Sequence, residues 1–237
     1  MASRDELLQR QFARDAEQGP TFAARMRARS QLHAHGWGED PWTGEVLAAE
    51  LTRASATASS VAEALAEVGR ALLANDRFEE LAAWLDGLTS HSRDDAEAAA
   101  VMRAMLAIRA GENEEAAALL TGIPLEEAVA LHGLALLQLG KPDEAAARLE
   151  ALLAADGLDE QGEVAPHFLP EPMPALALFL TACVTAAERR LAQQDRDGAE
   201  RFALAARDAL RRYASAEPPE GPSREEVAAL VARVTPG

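Results

Sequence analysis

A single cysteine, Cys183, among 237 residues excludes an intrachain disulfide and any multi-cysteine metal knuckle, and it agrees with a reducing cytoplasm. Aromatic residues make up only 4% of the chain and β-branched residues are sparse, which argues against a strand-rich fold. Apolar runs such as 175–187 fall short of the roughly 18 residues that a membrane-spanning helix needs. The opening "MASRDELLQRQ" puts charges where a secretion signal would carry its apolar run, so no such signal is expected. Lysine occurs once against 22 arginines, a bias that points to a GC-rich bacterial coding sequence. Cations are outnumbered 23 to 39 by acids, for a formal charge of -16. Residues 60–160 hold seven basic against twenty acidic residues, a surface that repels phosphate backbones and disfavours nucleic acid there. That acidity serves first as a solvated face and second as a complement for a basic partner.

What is present is alanine, leucine and helix punctuation. "SVAE" at Ser60, "DRFE" at Asp76 and "SREE" at Ser223 have the form of helix N-caps with an acid three places on. Pro124, Pro142, Pro174 and Pro222 stand near first turns, and Gly111, Gly122, Gly140 and Gly157 follow helical runs as left-handed stops. Between these marks apolar residues recur every three or four places, as in Val61, Leu65, Val68 and Leu72. The pattern predicts twelve helices, near 4–17, 20–35, 43–57, 60–74, 77–89, 93–110, 113–121, 125–139, 142–155, 174–194, 196–214 and 223–234.

Three stretches align: "GRALLANDRFEELAAWLDGL" from Gly69, "AMLAIRAGENEEAAALLTGI" from Ala104 and "GLALLQLGKPDEAAARLEAL" from Gly133. Each has a small residue, a turn about seven places on, an acidic pair, and an alanine or leucine twelve places on. A weaker fourth copy runs from Ala187 through Ala199. The pattern resembles the tetratricopeptide repeat, although the spacings of 35 and then 29 residues straddle that family's period of about 34, its tryptophan is absent, and its closing proline is replaced by Gly157. The resemblance implies an all-α, right-handed α-solenoid of helix-turn-helix pairs. Gly69, Ala104 and Gly133, with Leu81, Ala116 and Ala145 opposite, would let paired helices approach closely. It further implies a concave protein-binding groove lined by Arg70, Leu73, Val101, Met105, Ile108, Arg109, Leu134, Leu137 and Gln138, suited to a peptide or amphipathic helix. Arg70 stands where the family's carboxylate-clasping asparagine would be, which disfavours capture of a chaperone's terminal carboxylate.

Little in the chain suggests chemistry. His33 and His35 in "QLHAHGWGEDPW" diverge on a helix and cannot share an ion, while His91, His132 and His167 are scattered. Gly36, Gly38 and Pro41 describe a turn, with Trp37 and Trp42 as apolar anchors for the N-terminal helices. Cys183 within "LFLTACVTAA" reads as a core residue rather than a nucleophile. There is no phosphate loop, nucleophile elbow or dinucleotide fingerprint, so no catalytic residue, cofactor or metal is expected.

The expected organisation is an N-terminal helical segment over 1–42, repeats over 43–157, a proline-rich connection over 158–174 whose Phe168, Leu169 and Met173 dock on the groove or the edge of the stack, and a C-terminal helical region over 175–237. The expected function is non-catalytic protein binding by a cytoplasmic adaptor, scaffold or regulatory partner. The alternative is a nucleic-acid-associated regulator or enzyme using Arg25, Arg27 and Arg29 with the His33–Trp42 turn.

Overall fold

The computed structural model describes residues 3–155, 157–214 and 221–235, and among these it is all-helical apart from one isolated antiparallel bridge between Val164 and Met173. The twelve helices are α1 (Arg4–Gln18), α2 (Phe22–Ala34), α3 (Gly44–Thr57), α4 (61–74), α5 (Phe78–Gly87), α6 (Arg93–Ala110), α7 (Asn113–Leu120), α8 (Glu126–Gln138), α9 (Pro142–Ala154), α10 (Ala175–Ala192), α11 (Arg196–Arg212) and α12 (Arg224–Val234). Their ends obey local chemistry. Ser3 with Glu6 and Ser223 with Glu226 form reciprocal capping boxes on α1 and α12, and the Ser60 hydroxyl accepts from Glu63 N. Asp76 departs from its expected role. It is not a cap but a turn residue with φ of 55°, and the next helix begins at Phe78. Gly157 likewise is not left-handed. It leaves room for the Glu126 carboxylate, whose Oε1 would lie 2.8 Å from an added Cβ.

Four helix pairs share one turn. The seventh residue after each small position, namely Asp76, Gly111, Gly140 and Gln194, has positive φ (55°, 81°, 68° and 63°). The residue after it donates its N–H back five residues, closing a six-residue loop: Arg77 to Leu72 O, Glu112 to Ala107 O, Lys141 to Leu136 O and Asp195 to Arg190 O, at 2.8–2.9 Å. This is the Schellman closure of a helix C-terminus. The same four residues accept, through their carbonyls, the first bond of the following helix, from Leu81, Ala116, Ala145 and Ala199 N. Closing one helix and opening the next on a single residue fixes the angle between them. The fourth copy, Ala187 through Ala199, therefore has the same turn as the other three.

The small positions are buried. Ala104, Ala187, Leu81, Ala116, Ala145 and Ala199 are fully inaccessible, as are Leu72, Leu120 and Leu149. At Gly133 an added Cβ would come within 2.5–2.7 Å of three side-chain carbons of Leu149 on the paired helix α9. Gly69 is used differently. It lies in a turn of α4 wound as a π-helix, Leu65–Gly69, and the side chain it admits is Met102 of α6, not one from α5.

The chain divides into two compact units: one holds residues up to Met102 with Phe168–Pro170, the other holds Arg103–His167 and Glu171 onward. In the second unit α7 packs on α8, α8 on α9, α9 on α10, α10 on α11 and α11 on α12, with α8 also touching α10. In the first, α1 packs on α2 and α4 on α5, with α2 and α3 each touching α4. The 158–174 connection is ordered by the Val164–Met173 bridge and by His167 N donating to Glu127 Oε1 at 2.8 Å, against the first turn of α8. Phe168, Leu169 and Met173 are buried, as their apolar character suggested.

Two substitutions test this reading of the turns and small positions. Gly133→Ala gains about 1 kcal/mol of helix propensity, but forcing a methyl into the buried Leu149 costs about 1–3 kcal/mol, so thermal unfolding should show no stabilisation and a net loss. Gln194→Gly should instead raise the melting temperature, since a non-glycine residue pays about 1–2 kcal/mol for its left-handed conformation.

Candidate functional site

The nine residues expected to line a groove do not share one fate. Leu73 and Val101 are 5% and 0% exposed and belong to the core, so their assignment as contact residues is corrected. First helices in a stack are covered by their own partner and by the next pair, and periodicity alone cannot say where that cover ends. Arg70, Arg109 and Gln138 are exposed, and Met105, Ile108, Leu134 and Leu137 are half-buried. Met105, Ile108 and Arg109 on α6, with Leu134, Leu137 and Gln138 on α8, fall in the second unit. They present apolar side chains with polar ends but no constellation for bond-making.

The N-terminal arginines are largely committed. Arg25 and Glu50 are both buried, with Arg25 Nε 2.7 Å from Glu50 Oε2 and a further Arg25 nitrogen donating to Gly19 O at 3.1 Å. Arg29 donates to the other Glu50 oxygen at 3.0 Å. Burial alone would raise the Glu50 carboxyl, but the hydrogen bonds and charges of Arg25 and Arg29 outweigh it and hold the pKa below the usual carboxylate value. Of the three arginines that the nucleic-acid reading needs, Arg27 is left as the exposed one.

The histidine-tryptophan turn is structural in its contacts. Gly36 takes φ of 72° and Trp37 N donates to Leu32 O, closing α2. Trp37 stacks on His35 at 4.6 Å, His35 on Phe12 of α1 at 6.1 Å, and Trp42 meets the edge of Phe22 while its Nε1 donates to Ser30 Oγ. His33 Nδ1 lies 3.2 Å from Gly38 O. The two histidines thus point to different partners, and among the described residues no group of three or more His, Cys, Asp or Glu converges as a metal site. No helix among them is long and apolar enough to cross a membrane. Cys183 is buried, and its thiol is pushed up to about 12 by burial and then by the Glu150 charge, against a small opposing effect of Arg201. Such a thiol is a poor nucleophile. His132 is held below its usual value by burial and by Arg148 beside it, so it stays neutral at pH 7.

One feature was not anticipated from sequence. A cleft of about 600 Å³ opens between α3 and α5 in the first unit. Gly44, Leu47, Ala48, Leu51, Thr52 and Ser55 line one wall, and Glu80, Ala83, Trp84, Gly87 and Leu88 the other. Both sets follow helical spacing, so the stripes were present in the sequence; nothing there distinguished a stripe facing a cleft from one facing a core. The chain matches no family model, no curated protein and no solved structure.

Glu50→Ala should cost about 3–5 kcal/mol in denaturant unfolding, because it leaves Arg25 buried without a counter-charge, whereas Arg25→Met combined with Glu50→Leu should restore much of the loss. The contribution of Glu50 is fully present above the ordinary carboxylate pKa of about 4.3 and fades as pH falls through its depressed folded value. The stability gap between the native chain and Glu50→Gln should therefore close in acid. A thiol-specific alkylating reagent at pH 8 should leave Cys183 unlabelled until denaturant unfolds the chain.

Proposed function

We propose that this chain is a non-catalytic protein-binding module, an adaptor, scaffold or regulatory partner working in the cytoplasm, built from tetratricopeptide-like helix pairs. The observation that carries the reading is the fourfold recurrence of one turn, with a left-handed residue, a six-residue closure, a buried small residue before it and a buried alanine or leucine after it. Stacked hairpins of this kind present a continuous row of first helices, a surface that suits an extended or helical ligand. The half-buried Met105, Ile108, Leu134 and Leu137 supply apolar contact, and Arg109 and Gln138 supply polar contact at the same helix faces. The high pKa of the cysteine thiol and the separate engagements of the histidines give no competing support to catalysis.

The test is affinity capture from the native cytosol with quantitative mass spectrometry, using the native chain, Met105→Glu and Leu137→Glu. A specific partner held by the native chain should fall at least tenfold with either variant while circular dichroism stays unchanged. Retention of that partner by both variants would move binding to another surface, and loss of helical signal would show that these residues are core.

A further inference from the structure

We propose that the α3/α5 cleft is a second docking site, for a basic amphipathic helix supplied by a partner protein. The proposal uses other residues and another unit than the surface discussed above, so it stands or falls independently of it. Its walls are two helical stripes at the i, i+3, i+4, i+7 spacing of a helix-in-groove interface. The α3 stripe runs from Gly44 to Ser55, about 16 Å at 1.5 Å per residue, which is the length of roughly three helical turns. Ala48, Thr52 and Ser55 on the α3 wall and Ala83 and Gly87 on the α5 wall are exposed and small, which permits close approach of a backbone, while half-buried Leu51, Trp84 and Leu88 offer apolar anchors.

The polar groups of the cleft are already spent on internal bonds. Thr52 Oγ1 donates to Ala48 O, and Trp84 Nε1 donates to Ser55 Oγ at 3.2 Å. An occupant therefore meets an apolar floor and must find its charge complement at the rim. Glu80 is the acid that lines the cleft, and Glu45, Glu79 and Asp86 are exposed elsewhere on the same two helices. Against these four acids stand two cations, Arg53, which donates to Glu17 O at 3.1 Å, and Arg77, which pairs with Asp40 and with Glu80 itself, so the charge around the cleft is net negative without being uniformly so. An apolar slot three turns long on two helices of net negative charge favours a helix with an apolar stripe flanked by Lys or Arg.

The probe is a synthetic leucine-lysine peptide of about four turns, long enough to overhang the cleft, with leucines at i, i+3, i+4 and i+7; the same peptide with glutamate for lysine is its control. Titration calorimetry with the full-length chain should show saturable binding of the lysine peptide, with a matching change in tryptophan emission that is lost in Trp84→Phe, and no binding of the glutamate peptide. Ala48→Arg combined with Ala83→Arg, both at exposed positions, should weaken binding at least tenfold with circular dichroism unchanged. Glu114→Gln combined with Glu115→Gln, at exposed positions on α7, shifts the net charge in the same direction and by the same amount as the two arginines and should leave binding as it was. Equal weakening by the two pairs would reduce the effect to general attraction by an acidic protein and overturn the proposal. So would equal binding of both peptides, or binding indifferent to the cleft variants. A native-chain dimer in sedimentation that dissociates on Ala48→Arg with Ala83→Arg would assign the cleft to a second copy instead.

Discussion

The fold depends on how closely two helices can lie when one presents a methyl group or no side chain at the crossing. At Gly133 the absence of a Cβ admits the whole branched end of Leu149, and the turn that begins seven residues later holds both helices in that register. These two constraints are separable in energy but joined in effect. The turn sets the angle through backbone closure, and the small residue sets the distance through sterics. Neither constraint needs a cross-link or strand pairing. This is why a chain with one buried cysteine and few aromatics can still bury alanine and leucine within each compact unit.

Helix existence was legible because it is a local property. All twelve expected helices are present, with ends displaced by a few residues, since caps, prolines and apolar period act within a single segment. The weak fourth copy was legible for the same reason. Its turn has Gln194 where two of the others have glycine and the first has Asp76, yet the spacing between Ala187 and Ala199 preserves the geometry. Asp76 was misread because an aspartate before a helix with an acid three places on satisfies a capping pattern and a turn pattern equally, and only the six-residue closure decides between them. The π-helical turn at Leu65–Gly69 left no mark in the period, because the wider turn still leaves Leu65, Val68 and Gly69 buried.

The candidate site was less legible because it depends on which faces remain uncovered. Leu73 and Val101 follow the same periodicity as Leu134 and Leu137, yet the first pair is core and the second is half-accessible. Charge misleads in the same way. Arg25 looks like one of three solvent-facing cations on a helix, but Glu50 on another helix draws it inside, and that buried pair is favourable only while both members and the Gly19 carbonyl are in place. Such a pair specifies how α2 and α3 meet better than it stabilises them. An apolar contact tolerates sliding, whereas one carboxylate held by Arg25 on one oxygen and Arg29 on the other does not.

The cleft between α3 and α5 follows from the same steric rule with one residue changed. α3 carries small residues at Gly44, Ala48, Thr52 and Ser55, and α5 carries Ala83 and Gly87, a composition that elsewhere in the chain accompanies direct contact between helices. Trp84 stands between them. Its indole is too large for the approach that Gly133 allows α8 and α9, and its N–H is anchored on Ser55 Oγ, so the ring is held at the cleft wall and not tucked beneath it. Burying an aromatic ring with a satisfied N–H is favourable wherever a matching surface exists. A half-exposed tryptophan fixed at the side of an apolar slot lacks that surface, and a helix seated across Leu51, Trp84 and Leu88 would provide it.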